Sequence, residues 1–484
     1  MSTHRPPNIL WIQTDEQRPD SLGCYGSGWA KTPNLDELAE RGVTFRRAFC
    51  QSPVSVPSRS SQMTCRYPQE IGVLNNPIDH YDGKVYPDDA VMFTEVFADA
   101  GYQTVNFGKR HIAKRPTSWH RHDSRQVDSQ YAGFFALADR YADEDYRVIK
   151  RPGGSPIILA GTYPGSLTDN PSRRITDWAI DYLRTRDVAR PFLLRVSHNY
   201  PHTPVLPPPP FDRLYCHSEL PVRYYDHDAY ACRSAADRRI ADSHNMRALT
   251  RQQYEQIWCD YMGLCGYVDY EVGRLLAAVK ALGLEDNTLI VYSADHGKML
   301  GEWGAGEKGV FDDPVWRGPF IWSWPGHLPQ GEQRDDLCEM LDMGKTLLGL
   351  TRLTDRTPPS WRGRDLFDAS ATAPQFVVGQ IGMPNRNAPL ALATEPNAGS
   401  PNYNPRPLHM AIRTQRYRLD LPWMKDGRRI TELDGNLFDL EADPQERVNL
   451  WSDPQHAETR ADLLRQLEAW FDTTPKHPGL FEDA

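Results

Sequence analysis

Residues 8–16 read NILWIQTDE, an apolar run that stops abruptly at two acids. A short apolar run bounded by polar residues fits a strand covered on both faces, the usual state of a strand in a parallel sheet. Acids directly after it would sit at the strand's carboxyl end, where open α/β sheets bind their ligands. Working outward, Thr32-Pro33 opens NLDELAER and Gly42 closes it. Threonine suits an N-cap, proline the first helical position and glycine the stop, so a helix is predicted there. Further helices are predicted near residues 90–100, 172–184 and 251–282. Further strands are predicted at 103–107, 192–197, 288–293 and 320–324. The strand at 192–197 ends in His198, and the one at 288–293 runs into Asp295-His296. Strands alternating with helices predict an α/β sheet flanked by helices on both faces. From about residue 374 the pattern changes to short strands at 376–380, 408–414 and 416–421, then a last helix at 454–471. The expected division is a large α/β domain over 1–373 and a smaller C-terminal α+β domain over 374–484.

The bulk numbers agree with a folded enzyme-sized protein. The chain has 484 residues, 39% hydrophobic and 25% charged, ordinary values for a globular protein. A net charge of −9 argues against a nucleic-acid partner. No apolar run approaches the roughly 18 residues of a membrane span, and no leader-like segment is visible, so a cytoplasmic location is expected. The 8 cysteines form no CxxC pair and read neither as a disulfide framework nor as a zinc site. Proline is plentiful, with 40 residues against a usual share of about 5%. The proline-rich loops, and loops 108–163 and 204–250 with their aromatics and arginines, are where substrate contacts are expected.

Several constellations could carry chemistry. Asp15-Glu16 and Asp295-His296 both follow strands. Hard divalent cations take several oxygen ligands, and a neutral imidazole can join for a softer ion. The same residues also suit solvated turns. Ser55-Val-Pro-Ser-Arg59 opens a helical stretch to about residue 64. A helix N-terminus favours anions, and Arg59 lies one turn on, on the same face. Taken alone, this is equally an N-capping serine with a surface arginine. Gly108-Lys109-Arg110-His111, Pro201-His202-Thr203-Pro204 and Lys308 supply the cations and imidazoles that hold an oxyanion and protonate a leaving group. Each is individually weak.

As an ordered set they resemble the sulfatase family of the alkaline phosphatase superfamily, nearly end to end. The resemblance runs through PNILWIQTDE, LGCYG, TPNLDELAERGVTF, SVPSR, GKRH, PHTP, SADHG and EKGVFDDPVWRGP. It closes at LFDLEADPQE, residues 437–446, with Asn449-Leu450. It implies an alkaline phosphatase-like fold, a large mixed sheet with a smaller C-terminal domain. It also implies one divalent ion, calcium or manganese, held by Asp15, Glu16, Ser55, Asp295 and His296. SVPSR is similar to the family's (Cys/Ser)-x-Pro-x-Arg element, whose first residue is oxidised to formylglycine by a maturation enzyme. This chain departs from common family patterns at Glu16, where a second aspartate is frequent, and at His296, where asparagine is frequent. Serine stands at position 55 where cysteine is usual, and Cys65 stands where glycine is usual.

The resemblance implies hydrolysis of a sulfate monoester. A formylglycine hydrate at position 55, activated by the ion and Arg59, attacks sulfur. Lys109, Lys308 and the ion stabilise the sulfuryl oxygens, His202, alone or shared with Lys308, protonates the leaving alcohol, and His111 takes the proton that lets sulfate leave. The partners are then a small sulfate ester and the maturation enzyme, and a homo-oligomer is compatible. The nearest rival is a phosphonate monoester or phosphodiester hydrolase on the same scaffold, which Asp295-His296 also suits. A non-catalytic anion-binding protein is a third reading.

Overall fold

The computed structural model describes residues 5–76, 86–112, 124–125, 147–153, 157–220, 227–385 and 406–481. Parts of the two loops expected to face substrate, at 113–123, 126–146, 154–156 and 221–226, lie outside the described residues.

An eight-stranded sheet forms the centre. Its order is Glu332–Arg334, Val43–Phe45, Phe320–Ser323, Thr288–Ala294, Asn8–Thr14, Phe192–Ser197, Gln103–Gly108 and Ser124–Arg125. Phe320–Ser323 runs antiparallel to both neighbours, while the other pairings are parallel, so the sheet is mixed. Asn8–Thr14 is buried at all seven positions. Its alternation sends side chains into two separate cores. Leu10 and Ile12 pack with residues of the helices Pro171–Thr185 and Arg251–Ala281. Ile9 and Trp11 pack with residues of Ser55–Thr64, Phe93–Asp99 and Met343–Leu350. Helices thus cover both faces, as the alternating pattern predicts.

The C-terminal part is an antiparallel sheet of Phe376–Ile381, Leu408–Thr414, Tyr417–Lys425 and Arg428–Arg429, with Asn436–Asp439 paired to Tyr417–Lys425. The helix Ala457–Thr473 packs on it through Leu463, Leu467 and Phe471.

Some local expectations shift. The helix opening at Pro33 ends at Glu40, two residues before Gly42. Gly42 is needed for a different reason: a Cβ there would lie 2.1 Å from the Trp322 carbonyl oxygen of a nearby strand. Thr32 does not cap the helix backbone; its hydroxyl accepts from the Gly23 amide at 3.0 Å. The helix expected over 90–100 covers Phe93–Asp99, begun where the Glu95 carboxylate accepts from the Met92 amide at 2.8 Å. The last long helix starts later than expected, at Ala457, because Pro454–His456 is a tighter 3-10 turn.

Candidate active site

Four parallel strand ends converge on one edge of the sheet. Thr14 and Ala294 are register partners, so Asp15 and Asp295 emerge side by side. Ser197 pairs with both Gln13 and Gly108, which brings Lys109 to the same place. Gly108 makes that approach possible. Its φ is +91°, and a Cβ would lie 2.1 Å from the Ser197 carbonyl, which accepts instead from the Lys109 amide at 2.9 Å. The helix Ser55–Thr64 points its N-terminus into this edge, and all ten of its residues are buried.

Arg59 organises the centre. Its Nη2 donates to Asp15 Oδ2 at 2.7 Å and its Nε to Asp295 Oδ2 at 2.8 Å. Its Nη1 reaches Ser197 Oγ at 3.0 Å and Gln13 Oε1 at 3.2 Å. Lys109 Nζ pairs with the same Asp15 Oδ2 at 2.7 Å. Ser55 Oγ lies 3.0 Å from His296 Nε2. The other ring nitrogen of His296, Nδ1, lies 2.8 Å from the Gly297 carbonyl. A carbonyl can only accept, so Nδ1 carries the hydrogen and Nε2 offers its lone pair toward Ser55.

Glu16 turns the other way. Its φ is +62°, and its amide donates to Asp295 Oδ1 at 3.1 Å. Its carboxylate takes Lys298 Nζ at 2.8 Å on Oε2 and Lys308 Nζ on Oε1. His202 Nε2 lies 3.1 Å from Glu16 Oε1 and 2.9 Å from Lys308 Nζ. His202 Nδ1 sits against the Thr203 carbonyl at 2.5 Å and therefore holds the ring's hydrogen. His111, at φ +42°, places a buried Nδ1 without a hydrogen-bond partner, and Lys109, Asp15, Arg59 and Lys308 all act on it. All ten residues singled out from the sequence, Asp15, Glu16, Ser55, Arg59, Lys109, His111, His202, Asp295, His296 and Lys308, therefore gather in one cluster.

Asp15, Glu16, Ser55, Arg59, Asp295 and His296 are each 0% exposed, so only neighbouring groups can balance these charges. Burial pushes the Asp15 carboxyl up, but Lys109 and Arg59 outweigh it and hold the group well below the usual carboxylate range. Burial likewise pushes the Glu16 carboxyl up, but the Lys298 and Lys308 charges outweigh it and hold the group well below the usual range. Burial pulls His202 down to about 4 and, with the Lys109 charge, pulls His111 well below the usual histidine value. Both imidazoles are neutral at pH 7. Burial opposes the charge on Lys308, but Glu16 and Asp15 raise its pKa.

The donors fit a divalent cation. Asp15, Asp295 and His296 offer ligand atoms all within 4.8 Å of one another, as do Asp15, Glu16 and His202. Asp15 Oδ1 is buried without a hydrogen-bond partner, an unusual state for a carboxylate oxygen and one a cation would satisfy. Carboxylates with an imidazole suit a divalent cation that takes oxygen and nitrogen ligands rather than a thiolate-seeking metal.

The sulfatase family model matches residues 7–353. The chain belongs to the sulfatase family. This sulfatase is 26% identical to an arylsulfatase of Clostridium perfringens, across 75% of this chain and 78% of that one. It is 24% identical to an N-acetylglucosamine-6-O-sulfatase of Bacteroides thetaiotaomicron, across 96% and 86%. Sulfate-ester hydrolysis is the activity that the family and these relatives support. In fold it resembles a phosphonate monoester hydrolase from Silicibacter pomeroyi, with a TM-score of 0.76 at 22% identity over 97% of this chain and 96% of that one.

Sequence reasoning missed several participants. Lys298 joins Glu16, Thr203 Oγ1 and Glu307, the last at 3.3 Å. Its only sequence signal is its place two residues after His296. Gln13 accepts from Arg59 and Arg195 and donates to Gln62 Oε1 at 2.6 Å. A glutamine inside an apolar strand is itself such a signal.

Proposed function

We propose that this sulfatase cleaves sulfate monoesters with Ser55 as the site of the nucleophile, after oxidation of Ser55 to formylglycine. The observation that carries the reading is Ser55 itself. It is fully buried at a helix N-terminus, 3.0 Å from the lone pair of His296 and beside the Arg59 bridge between Asp15 and Asp295.

In this reading Asp15, Asp295 and His296, with position 55, hold one divalent ion. Bound there, the ion supplies positive charge that makes a hydroxyl at position 55 more acidic. Oxidation would remove two hydrogens from Ser55 to give an aldehyde, and addition of water to that aldehyde would supply the second hydroxyl, which a plain serine lacks. The rest is done by the chain's own side chains. Arg59 bridges the two aspartates. Lys109 and Lys308 face the sulfuryl oxygens with positive charge. The neutral His111, whose Nδ1 is unpartnered, can accept a proton at the step that frees sulfate. The leaving oxygen meets the Lys308–His202 pair. Because His202 keeps its hydrogen on Nδ1, the proton between Nε2 and Nζ belongs to Lys308. Lys308 is thus the donor, with His202 holding it in place.

Calcium or manganese, the maturation enzyme and a cytoplasmic site belong to the same proposal. Phosphonate ester hydrolysis is the second reading, favoured by the Silicibacter pomeroyi likeness. Two measurements test the first. The tryptic peptide of residues 48–59, from protein made in its native host, should weigh about two hydrogens less than its sequence. The protein should then release sulfate from 4-nitrophenyl sulfate faster than it cleaves a phenyl phosphonate ester. An unmodified peptide with faster phosphonate cleavage would transfer the assignment to the second reading.

A further inference from the structure

One side chain inside the central sheet breaks the rule that buried charges are paired. The strand Phe192–Ser197 is buried at all six positions, and its fourth residue is an arginine. Arg195 is 0% exposed. In the register of the sheet it stands between Trp11 on one neighbouring strand and Asn106 on the other. Two residues on, toward the carboxyl ends, the same strands place Gln13, Ser197 and Gly108 in a row, the row that leads into Asp15 and Lys109.

Among the described residues no carboxylate lies within ion-pair distance of Arg195. Burial opposes its charge, Arg59 and Arg110 repel it, and Asp295 and Asp15 attract it from further away. Its direct partners are amide oxygens instead. Nε donates to Gln13 Oε1 at 3.1 Å and Nη2 donates to the same oxygen, while Nη1 donates to Asn106 Oδ1 at 3.2 Å. The guanidinium also lies over the Trp11 ring, 4.7 Å from its centroid, a second kind of partner for a cation. An apolar side chain of similar size is often as stable in such a place, so stability alone does not account for an arginine here.

A guanidinium only donates, so it settles which way each amide faces. Gln13 turns its oxygen toward the two arginines, where it also accepts from Arg59 Nη1 at 3.2 Å, and its Nε2 donates to Gln62 Oε1 at 2.6 Å. Asn106 turns its oxygen to Arg195, which leaves its Nδ2 to donate to the Gly108 carbonyl at 3.3 Å. A reversed Gln13 would aim N–H groups at the Arg59 guanidinium. A reversed Asn106 would set its oxygen against the Gly108 carbonyl. One buried cation thus reaches Arg59, which bridges Asp15 and Asp295, and the backbone that presents Lys109.

We propose that Arg195 is a positioning residue for sulfate-ester hydrolysis, which fixes Arg59 and Lys109 in the Ser55 site by orienting the amides of Gln13 and Asn106. The proposal rests on the roles given above to Arg59 and Lys109. Arg195 itself meets no substrate.

Two substitutions at this position test it. Arg195→Met removes every donor and keeps an unbranched side chain, whereas Arg195→Lys keeps a donor and the charge. The readouts are kcat and KM for 4-nitrophenyl sulfate, with thermal midpoints to show that each variant is folded at the assay temperature. Arg195→Met is expected to lower kcat about 10–10²-fold, the scale of a small misplacement of catalytic groups. KM should change less than about threefold, because no group that binds substrate is removed. Arg195→Lys should recover most of the lost kcat. Asn106→Ala cuts only the branch to Gly108 and should lower kcat about threefold or more. A wild-type kcat in Arg195→Met overturns the proposal, and so does an Arg195→Lys no faster than Arg195→Met. If Arg195→Met does not fold, Asn106→Ala decides, and an unchanged kcat there overturns the proposal. A wild type that releases no sulfate from 4-nitrophenyl sulfate refutes the sulfate-ester reading itself, whereas an active wild type matched by Arg195→Met refutes only the role of Arg195.

Discussion

Glu16 and Asp15 are adjacent, yet the structure gives them different work, and one pair of variants separates them. Asp15 Oδ1 is bare and buried, whereas both oxygens of Glu16 are taken by Lys298 and Lys308. Glu16→Gln keeps the shape and removes the charge. Lys298 then loses its 2.8 Å partner and keeps only Thr203 and Glu307, the latter at 3.3 Å. Stripping one member from a buried ion pair costs about 3–5 kcal/mol. The surviving Glu307 contact places Lys298 near the lower end, at about 3 kcal/mol. Lys308 loses the charge that fixes its ammonium beside His202, and displacing one such donor costs about 10²–10³ in kcat. The expected result is a less stable, slow enzyme that still carries its ion. Asp15→Asn should instead lose the ion. Metal content of the purified proteins, by mass spectrometry, reads this directly. About one ion per chain is expected in wild type and Glu16→Gln, and close to none in Asp15→Asn. If Glu16→Gln loses its ion as completely as Asp15→Asn, Glu16 is a ligand and the division of labour argued here is wrong.

Lys308→Met should slow 4-nitrophenyl sulfate hydrolysis about 10²–10³-fold through the lost charge at the sulfuryl oxygens, and alkyl sulfate hydrolysis about a further 10²–10⁴-fold, because nitrophenolate leaves without a proton; equal losses on both would remove Lys308 from proton donation. Gly108→Ala forces a Cβ to within 2.1 Å of the Ser197 carbonyl, so it should displace Lys109 and reduce kcat at least tenfold. Unchanged kcat would show that Lys109 is not positioned from Gly108. Burial, with Asp420 and Asp312 nearby, pushes the Asp237 carboxyl from 3.8 up to about 7. The folded chain then holds a proton that the unfolded chain releases above about pH 4. That stabilisation is complete below pH 4 and is lost as pH rises through 7. Asp237→Asn can keep the 2.9 Å bond from Asn436 Nδ2 and should flatten this decline, measured as the thermal midpoint at pH 5 and pH 8. An unaltered slope would place the titration elsewhere.

Much of the scaffold was legible because its signals are local. NILWIQT is apolar toward both faces, so it reads as a central strand, and its neighbours at 192–197 and 288–293 read likewise. Two acid clusters after two such strands converge because Thr14 and Ala294 pair in register, but the sequence alone does not say which strands are neighbours. Lys298 and Arg406 were illegible for a different reason. A lone lysine or arginine is usually a solvated charge, and only the fold reveals that Lys298 is buried against Glu16 and that Arg406, half-buried, donates to the Gly309 carbonyl. The joint between the C-terminal sheet and the rest has the same character. Arg418 Nη2 lies 3.6 Å from Asp312 Oδ1, and Arg233 Nη2 donates to the Glu446 carbonyl at 2.5 Å. These partners are scattered along the chain and share no spacing.

The helix Ser55–Thr64 shows why motif and periodicity carry different information. SVPSRSSQMT has no apolar stripe, and a helix polar on all sides is expected in water, yet every residue of this one is buried. Burial of so many polar groups is tolerable only if most find partners, and here Ser61 Oγ and Gln62 Nε2 have none. Ser58 Oγ donates to the Asp295 carbonyl at 2.5 Å, Gln62 accepts from Gln13 at 2.6 Å, and Ser60 accepts from Tyr86 at 2.9 Å. Arg59 alone holds both aspartates. The helix is thus stabilised by the strand ends it faces, and its sequence is set by what they need rather than by an apolar face. Hydrophobic periodicity is silent at such a segment. The spacing of Ser55 and Arg59, one turn apart, still records that the nucleophile position and the bridge between the aspartates belong to one rigid element.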